Sequence, residues 1–120
     1  MNKLTVYGYP KCGTCRSAVK SLESKGYELE QHNLFEQAPP AEVLAKLIAL
    51  SGLEAKKFFN TSGEAYKEMK LKDKLTGLSE QERIELLASN GRLIKRPIVT
   101  DGKRATVGYK EDEYDRVWRG

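Results

Sequence analysis

The feature that most constrains this chain is the place of its two cysteines, which stand together in Cys12-Gly13-Thr14-Cys15. The motif follows Leu4-Thr5-Val6-Tyr7-Gly8-Tyr9, a run rich in β-branched and aromatic residues that reads as a strand ending at Pro10. From Thr14 onward Ala18, Val19 and Leu22 recur at helical spacing and Gly26 supplies a stop, so the pair opens a helix of about three turns. A thiol at the N-terminal edge of a helix meets unpaired backbone N–H groups and the positive end of the macrodipole, both of which stabilise its anion. The thiolate is the reactive form, and such settings move a cysteine from about 8.5 to between about 3.5 and 7.5. Lys11 and Arg16 add positive charge nearby. The two-residue spacing lets Cys15, one turn further in, attack a mixed disulfide formed on Cys12. Cys12 is therefore the expected nucleophile and Cys15 the expected resolving thiol.

The rest of the chain sorts into further strands and helices. Tyr27 to Leu34 reads as a second strand, parallel to the first through the intervening helix. Ala38-Pro39-Pro40 breaks the pattern, and from Ala41 a helix carries Val43, Leu44, Leu47, Ile48 and Leu50 on one face and ends at Gly52. Shorter helical pieces follow at Leu53 to Phe59, Glu64 to Met69 and Ser79 to Ser89, the last opened by a Ser79/Glu82 capping box. Leu93 to Thr100 returns to β character, Asp101-Gly102 reads as a two-residue hairpin turn, and Arg104 to Gly108 is the return strand. Glu111 to Trp118 closes the chain with a helix that puts Tyr114, Val117 and Trp118 on one face and acidic residues in its first turn. The order βαβ, helices, ββα predicts one α/β domain over residues 1–120, a mixed four-stranded sheet with an all-helical insertion at about 38–90.

Composition narrows the function. Two cysteines inside one motif, with no leader-like or membrane-spanning segment, predict redox chemistry in a reducing cytoplasm rather than a structural staple. A zinc site needs about four ligands, and His32 is the sole histidine, so no bound metal or other cofactor is expected. His32 reads as a surface residue at a strand end. Lys and Arg number 21 against 17 Asp and Glu, and the signs are interleaved, which predicts a solvated surface rather than direct nucleic-acid binding. Nothing in the pattern demands more than a monomer.

Tyr7-Gly8-Tyr9-Pro10-Lys11-Cys12-Gly13-Thr14-Cys15-Arg16 resembles the opening of the ArsC/Spx family of thioredoxin-fold proteins. The resemblance continues through Phe58-Phe59-Asn60-Thr61-Ser62-Gly63, Leu93-Ile94-Lys95-Arg96-Pro97-Ile98-Val99 and Val107-Gly108-Tyr109-Lys110-Glu111-Asp112-Glu113. Among the family's branches, the chain is most similar to arsenate-reductase-like proteins of Gram-positive bacteria. The resemblance implies a thioredoxin-like fold, redox or oxyanion chemistry at Cys12, a cis Pro97 whose loop faces the cysteine turn, and Arg96 beside the thiolate or a bound oxyanion. It makes Gly13, Thr14, Arg16 and Pro97 supporting residues. It also implies an external reductant, whether glutaredoxin, thioredoxin or a low-molecular-weight thiol.

The chain departs from the glutaredoxin-dependent reductases, which resemble one another in a single cysteine and three arginines around the oxyanion. Here only Arg96 carries over; Asn60 and Val107 stand near the places of the other two, and Arg104 is a potential substitute from the hairpin. Weak or absent arsenate turnover is expected. The family's Spx branch implies an alternative, a redox-sensing regulator that binds the C-terminal domain of the RNA polymerase alpha chain, with Gly52 as the equivalent contact glycine.

Overall fold

The computed structural model describes residues 3–119. β1 (Lys3–Gly8), α1 (Gly13–Ser24) and β2 (Glu28–Asn33) form the expected unit, with β2 parallel to β1 from Lys3↔Glu28 to Gly8↔Asn33. Alternation along β1 buries Leu4 and Val6 against Ala18 and Leu22 of α1. The helix gives way at Gly26, whose φ of 92° lies in the left-handed region that glycine enters without steric cost.

The insertion is helical, as its periodicity predicts. α2 (Ala41–Ser51) ends on Gly52, again left-handed at φ 75°. A short 3-10 turn (Ala55–Phe58), α3 (Glu64–Glu68), α4 (Leu71–Lys74), a second 3-10 turn and α5 (Glu80–Ser89) follow. The capping box of α5 is closed in both directions: the Glu82 amide donates to Ser79 Oγ at 3.1 Å and the Ser79 amide to Glu82 Oε1 at 2.9 Å. These helices gather Leu44, Phe58, Leu75 and Leu87 into a core that continues into the sheet through Ile94 and Ile98.

β3 (Ile98–Thr100) and β4 (Ala105–Val107) complete a mixed sheet of order β2-β1-β3-β4, with β3 antiparallel to both neighbours. α6 (Glu111–Val117) and Trp118 cover the face that also holds α1. Their buried polar tips are satisfied: Trp118 Nε1 donates to Thr106 Oγ1 at 3.1 Å and the Tyr114 hydroxyl to the Gly108 carbonyl at 3.1 Å. α1 and α6 are also laced together. Ser21 Oγ donates to the Glu111 carboxylate at 2.8 and 3.0 Å, and Lys25 Nζ reaches Asp115 at 2.9 Å and Glu111 at 3.4 Å. No helix among the described residues is long and apolar enough to cross a membrane.

Two expectations for the second half need correction. The strand predicted over Leu93 to Thr100 begins only at Ile98. Leu93 instead closes a 3-10 turn (Gly91–Leu93), and the backbone around it bonds to the insertion: Asn60 N–H to the Leu93 carbonyl and Lys95 N–H to the Phe58 carbonyl, both 2.7 Å. Pro97, with no N–H to give a ladder, separates that segment from β3. The hairpin is also longer than Asp101-Gly102 predicts. Thr100 pairs with Ala105, leaving four residues between, because Asp101 Oδ1 accepts the Lys103 and Arg104 amides at 2.8 Å each. That side-chain turn outcompetes the tight one.

Gly91 sits so close to the chain leaving β2 that a methyl group there would overlap the Leu34 carbonyl. Gly91→Ala is expected to lower stability by roughly 1–3 kcal/mol or more, as for overpacked sites. Urea unfolding checks it: the midpoint should fall with the slope unchanged, whereas Gly77→Ala, at an open position, should shift it little.

Candidate active site

The turn between β1 and α1 is pinned by its own backbone. The Cys12 N–H donates to the Tyr9 carbonyl at 3.0 Å, and the Cys12 carbonyl accepts the Arg16 N–H at 3.0 Å. Cys12 is thereby the N-cap residue of α1, in extended conformation and half-buried, while Cys15 lies one turn in and only 4% exposed. Both thiols are free. Gly8 explains how Cys15 fits beneath the strand: a Cβ at Gly8 would stand 3.1 Å from Cys15 Sγ and 3.8 Å from the Pro97 Cβ. Pro97 is buried and its bond to Arg96 is cis, as the resemblance implies.

Arg96 is held by aromatic rings. Tyr9 and Phe35 stack with centroids 4.0 Å apart, and the Arg96 guanidinium lies 4.8 Å from the Phe35 centroid and 6.0 Å from that of Tyr9. Arg92 packs on Phe35 as well, at 4.5 Å. Arg96 Nε and Nη1 are buried without a hydrogen-bond partner among the described residues. Buried donors left unpaired on a cation are costly unless an anion arrives to take them.

That cation acts on the cysteines unequally. Burial pushes the Cys12 thiol up, but the Cys15 amide and thiol and the Arg96 guanidinium outweigh it and hold Cys12 below the ordinary cysteine value. Burial drives Cys15 the other way, to about 11, and the neighbouring Cys12 charge adds to the rise. The half-buried sulfur is the readier of the two to ionise; the other keeps its proton inside.

The remaining expected residues divide between two hollows. Thr14, Asn60 and Val107 border a groove of about 830 Å³ together with Cys12 and Arg96. Arg16 faces the opposite side, in a hollow of about 320 Å³ between α1 and β2 that reaches Cys15 from behind. The largest influences that lower Cys12 come from Cys15 and Arg96 rather than from Arg16 or Lys11. Gly13 is exposed with open space where a side chain would go, which gives it no steric role. Arg104 does not substitute for a missing oxyanion arginine, because it is spent on Asp101 at 3.1 Å, the Val117 carbonyl at 2.8 Å and the Trp118 ring at 5.0 Å. His32 pairs with Glu30 at 3.0 Å and stacks on Tyr7 at 5.1 Å. Among the described residues no three His, Cys, Asp or Glu side chains converge as metal ligands would. Sequence reasoning missed Phe35 and the role of Tyr9. The available signal was an aromatic just past the end of β2, the strand parallel to the one that delivers the cysteines.

Iodoacetamide alkylation read against pH should give a Cys12 midpoint below the ordinary cysteine value, with Cys15 unreactive until near pH 11. Arg96→Met should move the Cys12 midpoint upward, since removing the cation leaves less thiolate and a slower reaction at neutral pH. Phe35→Leu should move it in the same direction, and Phe35→Tyr should restore it.

The family model described as the ArsC family matches residues 7–117. YusI of Bacillus subtilis (strain 168) is 56% identical over 115 residues, which cover 96% of this chain and 98% of that one. The global transcriptional regulator Spx of Lactiplantibacillus plantarum is 29% identical over 111 residues, covering 92% of this chain and 83% of the regulator. A crystal structure of a possible arsenate reductase from Streptococcus mutans UA159 superposes with a TM-score of 0.83 at 42% identity, covering 93% of this chain and 97% of that one. The mixed sheet, the cysteine turn with its cis proline and these likenesses agree: the chain belongs to the ArsC family.

Proposed function

We propose that this protein is a cytoplasmic thiol–disulfide oxidoreductase in which Cys12 attacks and Cys15 resolves. The observation that carries the reading is the split between the two sulfurs: Cys12, half-exposed and lowered beside Arg96, against Cys15, buried and raised to about 11. The Cys12 thiolate displaces one sulfur of an oxidised substrate and becomes joined to the other. Cys15 then gives up its proton and attacks Cys12 Sγ, which releases the substrate as a thiol and leaves a Cys12–Cys15 disulfide. An external thiol, from glutaredoxin, thioredoxin or a small molecule, resets the pair. The free N–H groups of Arg96 stabilise the charge that develops on sulfur.

Arsenate is a poorer fit. Asn60 and Val107 leave one arginine in the groove to offset a doubly charged oxyanion, and Arg104 is committed elsewhere. A regulator of the Spx type is the second reading, favoured by the 29% identity to Spx over most of the chain and by an exposed Gly52 at the end of α2. In that role the oxidation state of the same pair would govern contact with the C-terminal domain of the RNA polymerase alpha chain.

Cys15→Ser protein recovered from cells should carry mixed disulfides on Cys12, and Cys12→Ser protein should carry none. A coupled assay should show disulfide reduction with arsenate turnover near background. Binding of that polymerase domain without any turnover would replace this reading with the regulator.

A further inference from the structure

Resting on the thiol–disulfide reading above, we propose that the substrate is a disulfide carried in an acidic polypeptide segment, received along the groove beside Cys12. The groove's volume of about 830 Å³ lies near the top of the range of roughly 300–1,000 Å³ typical of sites for sizeable ligands, far beyond what a lone tetrahedral oxyanion fills. Its charge is lopsided: Lys57, Lys95, Arg96 and Lys110 face only Glu64 and Glu113.

The three lysines are uncommitted. None makes an ion pair among the described residues, whereas Lys25 and Arg104 elsewhere are tied to carboxylates. Lys95 lies with its stem against Gly108, where a Cβ would stand 3.0 Å from its Cε, so the ammonium is carried across the groove wall by a position that lacks a side chain. Asn60 folds over Gly63 in the same way, with its Nδ2 2.8 Å from where a Cβ would be. Its side-chain amide makes no hydrogen bond among the described residues and offers one donor group and one acceptor, the complement of a peptide group rather than of a bare anion. Leu53, 44% exposed at the groove's edge, supplies an apolar foothold.

The reaction balances without further parts. The substrate S–S bond breaks as a Cys12–S bond forms, and the first substrate sulfur leaves as a thiolate that takes up a proton. Cys15 then closes onto Cys12, the second substrate sulfur leaves likewise, and the two electrons gained by the substrate are those lost by the pair.

The test compares three peptides of one sequence, each with the same internal disulfide, flanked by Glu, Gln or Lys and reduced by the full-length protein with dithiothreitol to reset it. Wild type should show a kcat/KM about tenfold higher for the Glu peptide than for the Lys peptide at low salt, collapsing toward equality at high salt. Lys57→Glu with Lys110→Glu should abolish or invert the preference, and Lys46→Glu, on α2 outside the groove, should keep it. The salt dependence in wild type stands even where the double variant folds poorly. Equal rates across the three peptides overturn the proposal while leaving the oxidoreductase intact. Failure to reduce even the Gln peptide or a small neutral disulfide overturns the oxidoreductase reading itself.

Discussion

A half-buried guanidinium with two nitrogens out of water and unpaired among the described residues is the constraint around which this site is organised. Taking such a cation from water is expensive, and the fold offsets the cost by stacking it on Phe35, which is itself stacked on Tyr9. The arrangement leaves the donors open toward Cys12 instead of satisfying them with a carboxylate. A conventional salt bridge would stabilise the resting protein more and would remove the field that lowers Cys12.

Holding Arg96 in place is the work of the insertion as much as of the sheet. The segment before Pro97 is bonded to Phe58 and Asn60 on one side, and the Pro97 carbonyl accepts the Gly108 N–H at 2.9 Å on the other. The insertion core runs unbroken into the sheet through Ile94 and Ile98, so packing among α2, α5 and the 3-10 turn at Ala55–Phe58 fixes the position of a side chain at the far edge of that core. Lys57, within that turn, and Asn60, two residues past its end, both reach the groove, which couples its width to the same packing.

Much of this was legible in the residues because the signals were local. Strand-then-Pro10-then-Cys12 located the turn, Gly26 and Gly52 ended helices where left-handed backbone was needed, and Ser79 with Glu82 announced a cap. What escaped was set by distant or competing contacts. The run before Pro97 has β composition but spends its hydrogen bonds on the insertion, and Asp101 builds a wider turn than Asp-Gly suggests. Arg16 adjoins the cysteines in sequence yet points to the other side of α1, since one residue along a helix turns the side chain by about 100°. Phe35 was marked only by its place just past the end of β2, because nothing in a single chain says which ring an arginine sixty-one positions later will rest on.

The lacing of α1 to α6 through Ser21, Lys25, Glu111 and Asp115 has a mechanical consequence. These two helices, one carrying Cys12 at its head and the other beginning just after Lys110, are tied to each other on one face of the sheet. Those ties join the helix headed by Cys12 to the one whose N-cap and first turn, through Lys110 and Glu113, line the groove's near wall. The opposite wall, which bears Lys57 and Asn60, is bonded instead to the segment that carries Arg96, so Cys12 is tied to one wall through helix-to-helix contacts and faces a cation anchored in the other.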